Sequence, residues 1–319
     1  MAKERATETG GERVDIYQRV TERIVAAVEA GAKAGDWRMP WHAGADGRPV
    51  ASPVNAATGK PYRGVNVLAL WAAAHAASFP SDLWATYRQW QELGAQVRKG
   101  EQASPVVFWR VLDGRGDEDA GEASEDEAPG RGRRLLARGY SAFNAAQVEG
   151  YEPPALPVLP EAARVARADA FFATLGARVE HGGARACYVP GGDLIRLPPF
   201  AAFRDAVAYY ATSAHEHVHW TAAPGRCGRD LSGRFGSEAY AAEELVAELG
   251  AAFLCADLGL AAEPRPDHAQ YVASWLAVLR DDKRAVFTAA AKAQAAADWM
   301  HAHQPGAGQG GAAAPGLAA

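Results

Sequence analysis

Cysteine is scarce in this chain: Cys187, Cys227 and Cys255 are the only three in 319 residues. An odd number at wide spacing forms neither a disulfide framework nor a paired-cysteine zinc ribbon, so reduced thiols are expected. Long apolar runs are also lacking. No uninterrupted stretch approaches the length that spans a bilayer, and Met1 to Asp15 are polar and charged without the apolar centre of a signal peptide. No membrane partner and a cytoplasmic location are therefore expected. Nor does one sign of charge dominate: a formal net charge of -5 excludes a uniformly cationic surface, so any nucleic-acid contact has to come from a local patch. What the chain does have is 49% hydrophobic residues over a length that suits two ordinary domains.

After a polar start (1–13, expected to be disordered), Ile16, Val20, Ile24 and Val28 recur at four-residue steps and predict an amphipathic helix ending near Gly31. A Pro-, Gly-, Asn- and Trp-rich segment from Trp37 to Arg63 follows, and then VLALWAAAHAASF, which reads as a buried helix. SDLWATYRQWQELG reads as a further helix closed by Gly94, and SPVVFWRVL as a buried strand. Residues 113–134 hold almost no apolar side chain and carry an acidic block followed by a basic one, as in a disordered excursion between two strands; LLARGYSAFNAAQVEG is the returning strand. A proline-rich connector, 153–160, separates a first domain (14–152) from a second (161–300). The second starts with a helix over 161–175, then a hairpin in which RACYV and DLIRLP flank Pro190 to Gly192, then helices near 203–222 and 238–259. The Gly-, Ala- and Pro-rich tail, 301–319, is expected to be disordered.

The chemistry concentrates in His215-Glu216-His217-Val218-His219, an H-E-x-x-H match inside a helical pattern. Four residues turn a helix by one turn and about 40°, so His215 and His219 leave one face close enough to ligate one tetrahedral ion such as Zn2+. Glu216 stands where a carboxylate reaches a metal-activated water without binding the ion, the position of a general base. The next helix offers Glu243, Glu244 and Glu248. Glu244 and Glu248 share a face at i, i+4, and either meets the requirement for the third ligand. Glu244 is taken as the ligand, with Glu248 accepting an N–H from His215 to set its tautomer. Ser237 is a plausible N-cap for this helix. Glu243 faces elsewhere and reads as an exposed charge; His217, roughly 200° round from His215, reads as solvated or packed. Tyr240 and Tyr271 are candidate oxyanion donors, and the strand ARACYV is a candidate edge for an extended peptide substrate.

In the first domain, Trp37, Trp41, Trp71, Trp84, Trp90 and Trp109 are interleaved with Lys60, Arg63, Arg88, Arg98, Lys99 and Arg110. Between Trp37 and Arg110 there are eight Lys or Arg against four Asp or Glu. Aromatic faces that stack on bases, beside cations that neutralise phosphates, are what single-strand binders need. Against that, Trp84, Tyr87 and Trp90 at three-residue steps look like a core-facing stripe.

The blocks KPYRGVNVLALW, WATYRQWQELGAQVRKGEQASPVVFW, YSAFNAAQVEGY, AHEHVHWT and FGSEAYAAEELVAELGAAFLC, spread from about residue 14 to 290, resemble the ArdC antirestriction family of conjugative plasmids and related mobile elements. The resemblance implies an α+β, two-domain protein: an α+β domain that binds single-stranded DNA, then a mostly helical zincin-like metallopeptidase domain with a small β-hairpin or sheet. It implies protection of incoming DNA from restriction. It also implies Lys60, Tyr62, Arg63, Asn66, Arg98 and Lys99 as DNA contacts, and His215, Glu216, His219 and Glu244 as a zinc centre. The acidic excursion looks like an insertion in the family pattern. The alternatives are an intracellular zinc metallopeptidase without a DNA role, whose first domain selects protein substrates, and a DNA-binding module with a structural zinc.

Overall fold

A computed structural model describes residues 15–34, 39–42, 49–112, 134–154, 159–234, 236–262 and 268–307. The first half opens on helix α1 (Ile16–Ala34), whose Val20, Ile24 and Val28 stripe is fully buried. Helix α2 (Val65–Ala77) is buried from Val65 to Ala73, as its unbroken apolar composition predicts. It starts after Gly64, whose φ of 56° is a backbone conformation that side chains resist.

Four strands form the main sheet of this half: β1 (Val54–Asn55), β2 (Leu83–Thr86), β4 (Ser104–Leu112) and β5 (Arg134–Asn144), in the order β1-β2-β5-β4. A small pair, β3 (Gln96–Val97) with β6 (Val148–Glu149), lies beside a satellite core of Ala85, Trp90 and Val148. β2 corrects the single helix expected over SDLWATYRQWQELG. Thr86 and Gln89 form a reciprocal capping box, so helix α3 (Tyr87–Glu92) starts only after Thr86, while Trp84 to Thr86 pair with Asn144 to Ala142 of β5. The break also splits the expected stripe: Trp84 and Trp90 are buried, but Tyr87 is 44% exposed. β4 and β5 pair antiparallel from Ser104↔Ala142 to Leu112↔Arg134, so the expected excursion loses Arg134 to a strand, and its remainder, 113–133, lies outside the described residues.

The second half holds helices α4 (Glu161–Thr174), α5 (Ala206–Trp220), α6 (Glu238–Leu258), α7 (His268–Asp281) and α8 (Ala285–Ala302). The expected hairpin, β8 (Cys187–Val189) with β9 (Leu194–Leu197), is present within a larger sheet, since β7 (Arg178–His181) adds in parallel to β9 in the order β7-β9-β8. α8 carries order past the expected start of the tail at 301, and 308–319 lie outside the described residues. So do 155–158 of the proline-rich connector.

The two halves are not merely tethered. One continuous apolar cluster joins Val20 and Ile24 of α1 and Leu68 and Trp71 of α2 to Phe253, Trp275, Leu279 and Val286 of α6 to α8. The Trp71 and Phe253 rings meet at 5.8 Å. Burial of this kind, at about 25 cal/mol per Å² of apolar surface, holds the halves in a fixed relation. Among the described residues no helix is long and apolar enough to cross a membrane.

Candidate metal centre

The site grows from two packed helices. Asp205 caps α5 by accepting the Ala208 N–H at 2.8 Å, and Ser237 caps α6 by accepting the Tyr240 N–H at 3.2 Å. These starts set the rotation of each helix, so His215 and His219 on α5 face Glu244 on α6. His215 Nε2 lies 3.2 Å from His219 Nε2 and 3.4 Å from Glu244 Oε2; His219 Nε2 lies 3.5 Å from Glu244 Oε1. Metal–ligand distances of about 2.0–2.1 Å in a tetrahedron require ligand–ligand edges of roughly 3.3 Å. The two histidine edges end on different oxygens of Glu244, so with one donor atom from each residue the triangle has all edges within 4.8 Å and two of them close to the size that a zinc-like cation needs.

The electrostatics suit a cation. Burial alone makes ionisation of Glu244 harder, but hydrogen bonding and charge attraction from His215 and His219 outweigh it and hold the carboxyl well below its usual range. Burial likewise opposes protonation of His219, yet contacts to Glu243 and Glu244 and the charge of Glu216 push it up to about 9. A set of carboxylates that draws a proton this firmly offers the same field to a metal ion, which competes with that proton.

Glu216 is buried and lines a cleft of about 840 Å³ over the triangle. Cys187 and Tyr188 of β8, at the sheet's edge, line the cleft, as do Tyr240 and Tyr271, whose hydroxyls are 3.4 Å apart. Burial, the Tyr271 hydroxyl and the Glu244 charge together hold Tyr240 protonated, as a donor must be.

The surroundings of the ligands correct two expectations. Glu243 is not an exposed charge: it lies 3.3 Å from His219 Nδ1 and pairs with Arg229 Nη2 at 3.0 Å, on a side chain only 11% exposed. Arg229 is pinned in turn on the Val218 carbonyl (2.6 Å) and the Thr221 hydroxyl (2.9 Å). Arg229 comes from the loop after α5, so helix periodicity carries no signal of this partnership. Glu248 is near His215, but its Oε2 is 3.9 Å from His215 Nδ1, beyond hydrogen-bond reach; its Oε1 is engaged by Trp41 Nε1 (3.1 Å) and His42 Nε2 (2.7 Å). His217 is packed on Phe172, its Nδ1 at 2.7 Å from the Ser213 carbonyl, and burial pushes it down to about 4.

The six residues carried over as DNA contacts separate by environment. Tyr62 and Asn66 are interior, which corrects their assignment to a contact surface. Tyr62 accepts an N–H from Asn55 at 3.2 Å, and Asn66 uses both ends of its amide on Val107 of β4, at 2.7 Å each. Asn66 thus serves the backbone of an edge strand. Arg63 pairs with Asp298 on α8, and Arg98 is drawn to Glu101 (2.6 Å) and the Ala146 carbonyl (2.7 Å). Lys60 and Lys99 are exposed. Of the six tryptophans, Trp41, Trp71, Trp84 and Trp90 are buried and Trp109 half-buried against Tyr17 and Phe287; Trp37 lies outside the described residues. The aromatic content therefore serves packing first. A partly accessible cluster lies on β5, where Arg138 stands over the Tyr140 ring at 5.3 Å, beside the half-buried Phe108.

Comparison with known proteins matches two separate stretches of the chain. Residues 14–143 match the N-terminal domain of anti-restriction factor ArdC, and residues 166–292 match a zincin-like metallopeptidase. The fold is similar to the crystal structure of the antirestriction protein ArdC from plasmid R388, metal-free (TM-score 0.71, 42% identity, 91% of this chain and 97% of that one). It is equally similar to the Mn(II)-bound form (TM-score 0.72, 40% identity, 91% and 98%). In sequence the chain is 58% identical over 290 residues to the uncharacterized protein y4eC of Sinorhizobium fredii, covering 91% of this chain and 92% of that protein. It is 37% identical over 297 residues to the DNA primase TraC of Escherichia coli, covering 90% of this chain but only 27% of the primase.

Proposed function

This chain belongs to the ArdC antirestriction family, and from that premise we propose that its first half binds single-stranded DNA while its second half is a zinc-dependent peptidase. The observation that carries the catalytic half is the convergence of His215, His219 and Glu244, one donor atom from each within 4.8 Å of the others, with the Glu216 carboxylate in the same cleft. A bound zinc ion would supply Lewis acidity, making water a nucleophile near neutral pH and polarising a carbonyl. His215, His219 and Glu244 would hold it. Glu216 accepts the proton of the attacking water and delivers it to the leaving amine. The Tyr240 or Tyr271 hydroxyl donates to the developing oxyanion. The edge of β8 aligns an extended peptide by main-chain hydrogen bonds, so a protein or peptide is the substrate class.

For DNA, the exposed cations include Lys60, Lys99 and Arg98, the last paired with Glu101, and Arg138 with Tyr140 offers a stacking pair. The rival, a metallopeptidase with no DNA role, draws on the burial of Tyr62, Asn66 and most of the tryptophans. One preparation tests both halves. Zinc content and proteolysis are measured for the wild type and Glu216→Gln: metal retained with hydrolysis lost is expected, and equal hydrolysis by the variant removes Glu216 from the mechanism. Fluorescence anisotropy with a labelled single strand at two salt concentrations should give tight, salt-sensitive binding that weakens in Lys60→Ala/Lys99→Ala. No binding at low salt selects the rival.

A further inference from the structure

Segment 39–42 of the first half reaches across the apolar seam to α6 and ends on Glu248, one helical turn after the ligand Glu244. Its residues are interior: Met39, Trp41 and His42 are each no more than 3% exposed, and neither Trp41 nor His42 lines the cleft. Their hydrogen bonds have a fixed direction. The Met39 N–H donates to His42 Nδ1 at 3.0 Å, so that nitrogen is an acceptor and the ring proton sits on Nε2. Nε2–H then donates to Glu248 Oε1 at 2.7 Å, and the Trp41 indole N–H donates to the same oxygen at 3.1 Å. Two donors on one oxygen lock the rotation of the carboxylate and leave Oε2 turned towards His215 Nδ1 at 3.9 Å. His215 meets the ligand triangle through Nε2, so a carboxylate facing its other nitrogen favours the tautomer that carries a proton on Nδ1 and offers the Nε2 lone pair to a cation.

We infer that Trp41 and His42 are positioning residues for the metal centre: through Glu248 they orient His215, making the metal affinity of the second half depend on two side chains of the first. The inference rests on the metal-site reading above. It gives Glu248 a role other than that of a ligand or a direct hydrogen-bond acceptor of His215. It also explains why a tryptophan and a histidine from a Pro- and Trp-rich segment are buried beside a glutamate of the other half.

The test is competition titration of the full-length chain with Zn2+, and separately with Mn2+, against a chelator of known affinity, with circular dichroism confirming that each variant is folded at the working temperature. Against the wild type, His42→Ala is expected to bind either metal 10- to 100-fold more weakly. His42→Gln, whose side-chain amide keeps a donor towards Glu248, should recover part of that loss. A role confined to stability would lower the melting temperature without weakening metal binding in the folded protein. If His42→Ala does not fold, Trp41→Phe, which removes one donor and keeps the ring, decides by the same measurement. Wild-type affinity in the folded His42→Ala, or in Trp41→Phe where that variant decides, overturns the inference while leaving the metal centre standing. Failure of the wild type itself to bind either metal in a manner lost in His215→Ala overturns both together.

Discussion

Gly250 sits midway along α6, against Val218 of α5, the residue between the H-E-x-x-H glutamate's turn and His219. A Cβ at Gly250 would lie 2.7 Å from Val218 Cγ2 and 3.1 Å from Cγ1. Carbon atoms settle at about 3.5–4.0 Å, so Gly250→Ala forces roughly 1 Å of movement between the helices. Rotating Val218 offers no escape, because both methyls are close and a helical valine has essentially one good rotamer. Alanine gains about 1 kcal/mol of helix propensity over glycine, while overpacking costs about 1–3 kcal/mol. Net stability should therefore fall by at most about 2 kcal/mol. The proposed metal site should be far less tolerant. Its three donors come from these two helices, and ligand distances are held to about 0.2 Å, so a 1 Å separation should weaken Zn2+ binding about 10- to 100-fold. Thermal melts of the metal-free protein and chelator-competition titrations on the same samples separate the two effects. Val218→Ala removes both clashing methyls, so adding it to Gly250→Ala should restore metal affinity even though it creates its own packing loss. Wild-type affinity in Gly250→Ala, or no recovery in the double variant, would refute the claim that this close approach sets the donor triangle.

Asn66→Ala strands the N–H and C=O of Val107 on the edge of the first sheet. At about 1–3 kcal/mol for each of the two buried groups left unpaired, denaturant melts should report a loss of about 2–6 kcal/mol, with single-strand affinity per folded molecule unchanged; the opposite pattern would return Asn66 to a contact role. Burial, with the charges of Glu248 and Asp257, pushes the Cys255 thiol up to about 12, so at pH 8 about one molecule in ten thousand carries the thiolate there. Iodoacetamide followed by mass spectrometry should therefore modify exposed Cys187 and spare Cys255 until the protein is unfolded; native labelling of Cys255 would contradict the packing of α6.

Local periodicity made the core of the site legible. His215, Glu216 and His219 are related by a single helical turn, and Glu244 follows on a helix whose start is marked by Ser237, so their faces follow from spacing alone. The stripe of α1, the buried run of α2 and the β4/β5 pairing were legible for the same reason: each is a regular pattern in one contiguous segment. Tertiary structure decided what those patterns meet. Glu243, Glu244 and Glu248 look alike in a helix, and they acquire different roles because Arg229 arrives from a loop and Trp41 and His42 from the other half of the chain. The family resemblance assigns Tyr62 and Asn66 to DNA contact, but in the packed chain both are buried, Asn66 of α2 on the backbone of β4. Hydrogen-bond partners hundreds of residues apart leave no periodicity to read, since only the packed chain brings them within reach.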